Sequence, residues 1–411
     1  MDRDRVQRRT VAALMVSNSV GYAGLVSVVA VAGLLASEVM GRDLLAGLPA
    51  AAATMGTALA ATPLALRSKR RGRRRGLWLG YFIGAAGGAL ALAAGQAGVF
   101  WLLIVAMAVF GVAQASNLQA RFAAADLADP ERRARAISMV VWVGTVGAVL
   151  GPPAALWANR VGTAELGLGS WVAPMLLGIL GFSVAGLVIV LALRPDPLVL
   201  AGGVDPHAER ENPLRTASRA WTAVWNNSRA RLALVVMAVS QMAMVAVMTM
   251  TPLHMRDHGH AELSTLVISV HVLGMFGLSP LIGGWADRFG RIRSVGAGAA
   301  ILGLGTIATV IAGYIPLMLF VGLFLLGLGW SFALIAGSAL LTESLPIEER
   351  VGAQGLADVS MSSLAALAAF FSGFVKEAAG YHWLANFATI AAIVMIVAVM
   401  QVRRAELEPA I

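Results

Sequence analysis

The sequence contains no cysteine, and only 13% of its 411 residues are charged. Without cysteine there is no disulfide, no zinc–thiolate site and no thiol nucleophile. Soluble domains carry about 25% charged residues, so this composition, with 58% hydrophobic residues, predicts a polytopic membrane protein. Nucleotide-binding loops, metalloprotease motifs and nucleophile–base constellations are also missing, so we do not expect an enzyme.

Acidic residues are few, and the net charge of +9 comes almost entirely from arginine. The arginines concentrate in the connections between apolar runs, which argues against nucleic acid as a partner. Their positions are Arg3, Arg5, Arg8, Arg9, 67–75, 132–135, 194–231, 288–293, Arg350 and 403–404. With twelve spans all of these lie on one side, so the positive-inside rule predicts an inner-membrane protein with both termini in the cytoplasm.

Twelve apolar runs are long enough to cross a bilayer. They lie near 11–36, 43–66, 77–96, 99–123, 136–158, 171–193, 231–255, 263–286, 294–313, 315–342, 352–375 and 382–402. The pattern predicts an all-α membrane protein with two six-helix halves, 1–193 and 231–411. Residues 194–230 form a polar cytoplasmic linker between them.

The two halves repeat one another at an offset of about 218 residues. Gly72-Arg73 matches Gly290-Arg291, and Asp126 matches Glu343. A parallel repeat of this kind places a substrate site between the halves, near the middle of the bilayer. We therefore expect a small-molecule or metal-ion substrate.

The segment Gly284-Trp-Ala-Asp287-Arg288-Phe-Gly290-Arg291 resembles the loop signature of the major facilitator superfamily, here between helices eight and nine. The resemblance implies the twelve-helix major facilitator fold and secondary-active transport. It also implies that Asp287, Arg288, Gly290 and Arg291 form a conformational latch at helix ends. In the equivalent 2–3 loop Lys69 stands where the acid belongs, so we interpret that loop as a topogenic charge cluster.

A second motif, Gly144-Thr-Val-Gly147-Ala-Val-Leu-Gly151-Pro152-Pro153, resembles the fifth-helix motif of drug/proton antiporters. Its small residues also let two helices approach closely. Proton-coupled efflux of a drug or small metabolite is therefore the alternative function. The first six helices have no carboxylate near their middle, where an exporter usually needs a titratable group.

The polar residues of the first half are few, and interhelical hydrogen bonds are the default interpretation for each. They are Asn18, Tyr22, Gln114, Asn117, Gln119 and Arg121. Arg121 and Asp126 lie close enough along the chain to pair. These two residues and Asp358 of helix eleven are the candidates for coupling transport to an ion.

Methionine and histidine concentrate in helices seven and eight. At about 100° per residue, Met237, Met244, Met248 and Met255 fall within about 40° of one another. His271 lies one turn before Met275. Thioether and imidazole suit Cu(I), and histidine in a span usually marks an ion or substrate path. Methionine also fills gaps in apolar helices, so packing remains an alternative.

The pairs Met244-x-x-x-Met248 and His271-x-x-x-Met275 resemble the paired motifs of CcoA-like copper importers. That resemblance implies that these four residues carry copper, as transported substrate rather than permanent cofactor. A possible metal entry comprises Met237 of helix seven and five residues near the end of that helix, namely Met250, His254, Met255, His258 and His260. We expect a monomer in the lipid bilayer that imports copper.

Overall fold

The structure, a computed structural model, describes residues 3–41, 45–205, 213–260, 263–312 and 315–407. By length and composition, twelve helices of this part can cross a membrane. They are α1 (Arg3–Met40), α2 (Leu48–Arg71), α3 (Arg73–Gln96), α4 (Phe100–Ala125), α5 (Pro130–Glu165), α6 (Pro174–Leu200), α7 (Ser228–Asp257), α8 (Leu266–Phe289), α9 (Arg291–Ala312), α10 (Pro316–Ser344), α11 (Ile347–Ala379) and α12 (Tyr381–Ala405). The described residues contain no strand, so the all-α, twelve-span prediction is confirmed.

Several helices extend beyond the apolar runs because backbone hydrogen bonds continue into the arginine-rich ends. Three of the described spans are discontinuous, which hydropathy does not reveal. In α5 the helix is interrupted at Val143, between Arg133–Trp142 and Gly144–Glu165. In α6 it is interrupted between Pro174–Ala192 and Pro197–Leu200. In α8 a π-helical segment, Leu273–Gly277, follows the α-helical part that ends at Val272. Such π-segments are frequent at functional sites.

The chain forms two compact units. Unit 1 contains Met1–Leu127 and Val143–Ser218, and unit 2 contains Ala128–Trp142 and Arg219–Ile411. Each unit therefore holds part of α5. The polar segment between α6 and α7 includes one further helix, Pro213–Asn226, which we call the linker helix. The predicted boundaries at 193 and 231 stay a prediction.

Within unit 1, α1 packs against α6 and against the second part of α5, while α4 packs against α2 and α3. The glycines of the fifth-helix motif permit the contact between α1 and the second part of α5. A Cβ at Gly147 would lie 2.7 Å from the carbonyl carbon of Tyr22. Ser27 Oγ donates to the Gly151 carbonyl oxygen at 3.0 Å. The small residues thus allow close helix approach, as their spacing predicts.

Within unit 2, α7 packs mainly against α10, α11 and α12, and α9 packs against α10 and α12. The contact of α7 with the first part of α8 is smaller. The first part of α5, Arg133–Trp142, lies against Ser279–Phe289 of α8. Helix α10 also packs against the first part of α8 and its π-helical segment. It therefore contacts both helices that carry the predicted copper ligands.

Candidate functional site

Unit 1 contains a network of uncharged polar side chains from α1, α3 and α4. Its members, which we call the amide–tyrosine cluster, are Asn18, Tyr22, Tyr81, Gln114 and Asn117. The Tyr81 hydroxyl donates to Asn117 Oδ1 at 2.8 Å and lies 3.5 Å from Asn18 Oδ1. Asn117 Nδ2 donates to Gln114 Oε1 at 2.9 Å, and Gln114 is hydrogen-bonded to Tyr22. The network thus joins three helices near their middles.

The burial of the cluster is graded. Tyr81, Asn117 and Asn18 are buried, whereas Tyr22 and Gln114 are half-buried. Amides and hydroxyls offer both donors and acceptors without net charge. Such a group can recognise a polar organic molecule, while the buried members hold Tyr22 and Gln114 in place. The sequence indicated four of these residues, and Tyr81 was missed because its apolar surroundings gave no signal.

Unit 2 has a second uncharged polar contact, centred on α10. Trp330 Nε1 donates to Gln241 Oε1 of α7 at 2.6 Å. The Trp330 ring meets Phe276 of α8 edge to face, with centroids 5.7 Å apart. Phe276 belongs to the π-helical segment, so the irregularity in α8 presents an aromatic ring to α10. Sequence reasoning missed Trp330, because a tryptophan in an apolar helix is ordinarily packing.

Of the predicted copper ligands, His271 and Met275 lie against α10. His271 is fully buried, and its Nδ1 is 2.7 Å from the Leu323 carbonyl oxygen. Its Nε2 is also buried, and it has no hydrogen-bond partner in the described part of the chain. Met275 packs at Gly327, where a Cβ would lie 3.1 Å from its Cγ. The backbone contact orients the imidazole and leaves Nε2 as the available ligand atom.

The other two predicted ligands lie on α7, Met244 buried and Met248 half-buried. Because α7 packs mainly on α10, α11 and α12, the four-residue copper site stays a prediction. Met237, predicted at the metal entry, is fully buried against α10. Its sulfur accepts from Ser338 Oγ at 3.4 Å, and it covers Gly337.

The histidines near the end of α7 stack with aromatic rings. His254 lies 4.2 Å from the Tyr381 ring and 4.4 Å from the His258 ring, centroid to centroid. His258 Nδ1 is 2.7 Å from the His254 carbonyl oxygen. Across residues 3–407, apart from the gaps given above, no group of three or more His, Cys, Asp or Glu side chains is placed to hold a metal ion. The metal-entry role stays a prediction.

Two of the four predicted latch residues, Asp287 and Arg291, belong to an ionic network in unit 2. Asp287 accepts from the backbone N–H groups of Ala134 and Arg135, at 3.1 and 2.9 Å, and pairs with Arg291 at 2.6 Å. Arg291 also pairs with Glu343 of α10 at 2.9 Å. Gly290 has φ +93°, a conformation that favours glycine. Arg288, by contrast, is exposed, and its guanidinium lies over the Phe289 ring.

Unit 1 contains an equivalent ion pair, but Lys69 occupies the loop position that corresponds to Asp287. Arg73 pairs with Asp126 at 2.7 Å, as Arg291 pairs with Glu343, so the repeated residues have equivalent contacts. Asp196, at the end of α6, accepts from the backbone N–H groups of Arg73 and Arg74. Nothing in the sequence indicated Asp196, because it lies in a polar segment distant along the chain.

Two of the predicted coupling residues are buried elsewhere. Arg121 donates to the Leu118 carbonyl oxygen and lies over the Phe122 ring, 4.3 Å from its centroid. Asp358 is fully buried in α11. Their roles in coupling stay predictions.

Replacement of Asp287 tests the latch. In Asp287→Asn the side chain loses its charge and one of its two acceptor oxygens, so the first turn of Arg133–Trp142 should open more often. Loss of a cap costs about 0.5–2 kcal/mol, so amide hydrogen exchange there should rise about two- to thirtyfold. The control is Arg288→Gln, at an exposed position, which should leave exchange unchanged. Equal exchange in Asp287→Asn and wild type would contradict the latch.

The comparisons with known proteins agree with this architecture. The sequence model of the Major Facilitator Superfamily matches residues 11–269 and 258–410. The chain is 36% identical over 395 residues to the uncharacterised MFS-type transporter YdeG of Bacillus subtilis, covering 95% of this chain and 90% of the relative. It is 29% identical over 382 residues to the riboflavin transporter RfnT of Brucella anthropi, covering 92% of each.

Solved structures show the same fold. The human organic anion transporter MFSD10 superposes with a TM-score of 0.75 at 16% identity, covering 96% of this chain and 99% of that one. The proton:xylose symporter XylE superposes with a TM-score of 0.73 at 16% identity, covering 97% and 95%. The relatives give no support to the narrower resemblance to CcoA-like copper importers. The chain belongs to the Major Facilitator Superfamily, and it is a multi-pass membrane transporter rather than an enzyme.

Proposed function

We propose that this protein is a secondary transporter of a small organic solute, recognised by hydrogen bonds to uncharged side chains. The observation that supports it is the amide–tyrosine cluster, in which buried Tyr81 and Asn117 position half-buried Gln114 and Tyr22. Copper would prefer thioether, thiolate or imidazole ligands, which this cluster does not offer.

Two further features support an organic solute. Gln241 and Trp330 in unit 2 supply an amide and an aromatic ring, the groups that small-molecule sites combine. The relative RfnT is named as a riboflavin transporter, and riboflavin is an organic molecule. The proposal is compatible with uptake and with efflux. If the solute is exported, the function is the proton-coupled efflux of a drug or small metabolite given above as the alternative.

Thermal stabilisation followed by transport tests the proposal. Purified protein should be stabilised by a compound it binds, by about 2.7 kcal/mol when the ligand is at about 100 times its Kd. Riboflavin and a panel of drugs and metabolites would be screened first. Each compound that stabilises the protein would then be assayed in proteoliposomes, with a pH gradient imposed in either direction.

Substitutions test whether the amide–tyrosine cluster binds the transported compound. Gln114→Leu removes a donor and an acceptor, so it should weaken binding of the transported compound about tenfold or more. Gln401→Leu makes the same change at an exposed position on α12 and should have no effect. An organic substrate whose transport survives both Gln114→Leu and Asn117→Leu would reject this site.

Copper import is the second candidate, supported by His271. Its Nδ1 contact with a backbone carbonyl leaves Nε2 buried and available, one turn before Met275. With Met244 and Met248 of α7, these residues would give Cu(I) thioether and imidazole ligands. Neutral ligands also bind weakly enough to release the transported ion.

Leucine substitutions test copper import. Met248→Leu and His271→Leu should each abolish copper accumulation by expressing cells while the amount of membrane protein stays normal. Leucine preserves bulk, so a packing role for Met248 should tolerate the change. Met400→Leu, at an exposed position on α12, is the matched control. Full copper uptake by both site variants would exclude this candidate.

A further inference from the structure

The linker helix, Pro213–Asn226, is fixed at the point where a spanning helix begins. It ends two residues before Ser228, the first residue of α7. Between them, Asn227 caps α7 by accepting from the backbone N–H groups of Arg229 and Ala230, at 3.1 and 3.0 Å. Its Nδ2 also donates to the Ser344 carbonyl oxygen at the end of α10, at 2.7 Å. The helix therefore ends beside the first turn of a membrane-spanning helix.

One face of the linker helix packs on unit 2. Ala220 and Val224 are buried, at 6% and 0% exposure. Ala220 lies against Gly352 in the first turns of α11, where a glycine Cβ would meet its Cβ at 3.4 Å. Because these two residues are one turn apart, the opposite face points away from unit 2.

The exposed surface beside this buried face carries two tryptophans. Trp221 and Trp225 are 48% and 46% exposed, and their rings stack with centroids 5.0 Å apart. Arg229, in the first turn of α7, is exposed as well, and so is Arg219 on the other side of the linker helix. Exposing two stacked indole rings to water would be costly, so the face calls for a partly apolar neighbour.

A further arginine orders the tryptophan pair. Arg231 donates from a guanidinium nitrogen to the Trp225 carbonyl oxygen at 2.7 Å, and its guanidinium carbon lies 5.7 Å from the Trp225 ring centroid. Tryptophan is enriched where a membrane meets water, and a basic amphipathic helix is attracted to anionic lipid. The indole rings therefore suit the boundary between the acyl chains and the headgroups of a bilayer, and the arginines suit the lipid phosphates.

We propose that Trp221 and Trp225 of the linker helix, together with Arg229 and Arg231 in the first turn of α7, form a binding surface for anionic phospholipid. The indole rings insert at the level of the headgroups, and the guanidinium groups pair with lipid phosphates. The lipid thereby holds the junction between the linker and α7 against the bilayer.

Fluorescence quenching of the full-length protein tests this surface. The protein would be placed in phosphatidylcholine bilayers that contain a minor share of acyl-brominated lipid, either phosphatidylglycerol or phosphatidylcholine. The signal of the tryptophan pair is the difference between the wild type and Trp221→Phe/Trp225→Phe. Brominated phosphatidylglycerol should quench this signal more strongly than brominated phosphatidylcholine, and added salt should reduce the difference.

The variant Arg229→Gln leaves the contact between Arg231 and Trp225 in place. It should lower the preference for phosphatidylglycerol about fivefold. Arg219→Gln changes an arginine on the far side of the linker helix from Trp221, so it should alter the preference much less. Arg403→Gln/Arg404→Gln, at exposed positions near the end of α12, should leave the preference unchanged.

Three results would overturn the proposal. Equal quenching by both lipids would show a surface indifferent to lipid charge. Absence of quenching by either lipid would place the tryptophans off the bilayer, where a soluble partner covers them. Loss of the preference on addition of inorganic phosphate at constant ionic strength would show that free phosphate, not lipid, occupies the arginines.

Discussion

Asp126→Asn should destabilise the protein by about 3–5 kcal/mol, because it leaves the guanidinium of Arg73 in a buried place without its carboxylate. The two side chains are 5% and 1% exposed, and Arg73 donates through Nε and one terminal nitrogen, at 2.7 and 3.1 Å. The measurement is the apparent melting temperature of the purified protein in detergent.

An exposed ion pair provides the control for this result. Asp257 pairs with Lys376, and its side chain is 39% exposed. Exposed pairs contribute little to stability, so Asp257→Asn should change the melting temperature much less. Equal losses in the two variants would mean that burial does not determine the contribution of the Arg73–Asp126 pair.

Gly111→Ala should also destabilise the protein, although alanine is the better helix former. A Cβ at Gly111 would lie 1.9 Å from the Ala53 carbonyl oxygen of α2, which is backbone and cannot rotate away. The reciprocal contact is equally close, since a Cβ at Gly56 would lie 1.8 Å from the Ala108 carbonyl oxygen. Separating α2 from α4 should cost about 1–3 kcal/mol or more, again measured by thermal unfolding.

A glycine-to-alanine substitution at a position without close neighbours should not destabilise the protein. A Cβ at Gly373, in α11, meets no atom within 4 Å. Gly373→Ala should therefore leave stability unchanged or raise it by up to about 1 kcal/mol through helix propensity. A melting temperature of Gly111→Ala equal to or above that of the wild type would contradict the close contact of α2 and α4.

Hydropathy alone predicted the twelve spans, because a bilayer admits only apolar segments whose backbone hydrogen bonds are internal. It did not predict the interruption at Val143 or the π-helical segment Leu273–Gly277. The residues at both places are apolar, so the hydropathy of α5 and α8 gives no sign of either irregularity. The π-helical segment carries Phe276, which lies against Trp330 of α10, a contact that only the tertiary structure shows.

In the candidate sites, too, some residues could be predicted from the sequence and others only from the tertiary structure. The amides of α1 and α4 were visible because polar residues in apolar runs need partners, whereas Tyr81 was invisible until α3 was placed beside them. His271 was visible by its chemistry, but its orientation by the Leu323 carbonyl required α10. The contact of Asp196 with the backbone of Arg73 and Arg74 was missed because these residues lie more than 100 positions away along the chain.

The sequence by itself determined the membrane class, the number of spans, the internal repeat and the superfamily, since composition, hydropathy and the Asp287–Arg291 motif are local properties of the chain. Only the tertiary structure decided which polar groups meet, that is, Tyr81 with Asn117, Arg73 with Asp126 and Trp330 with Gln241. The physical reason is that each pair joins residues distant in sequence, whose separation is set by how the helices pack.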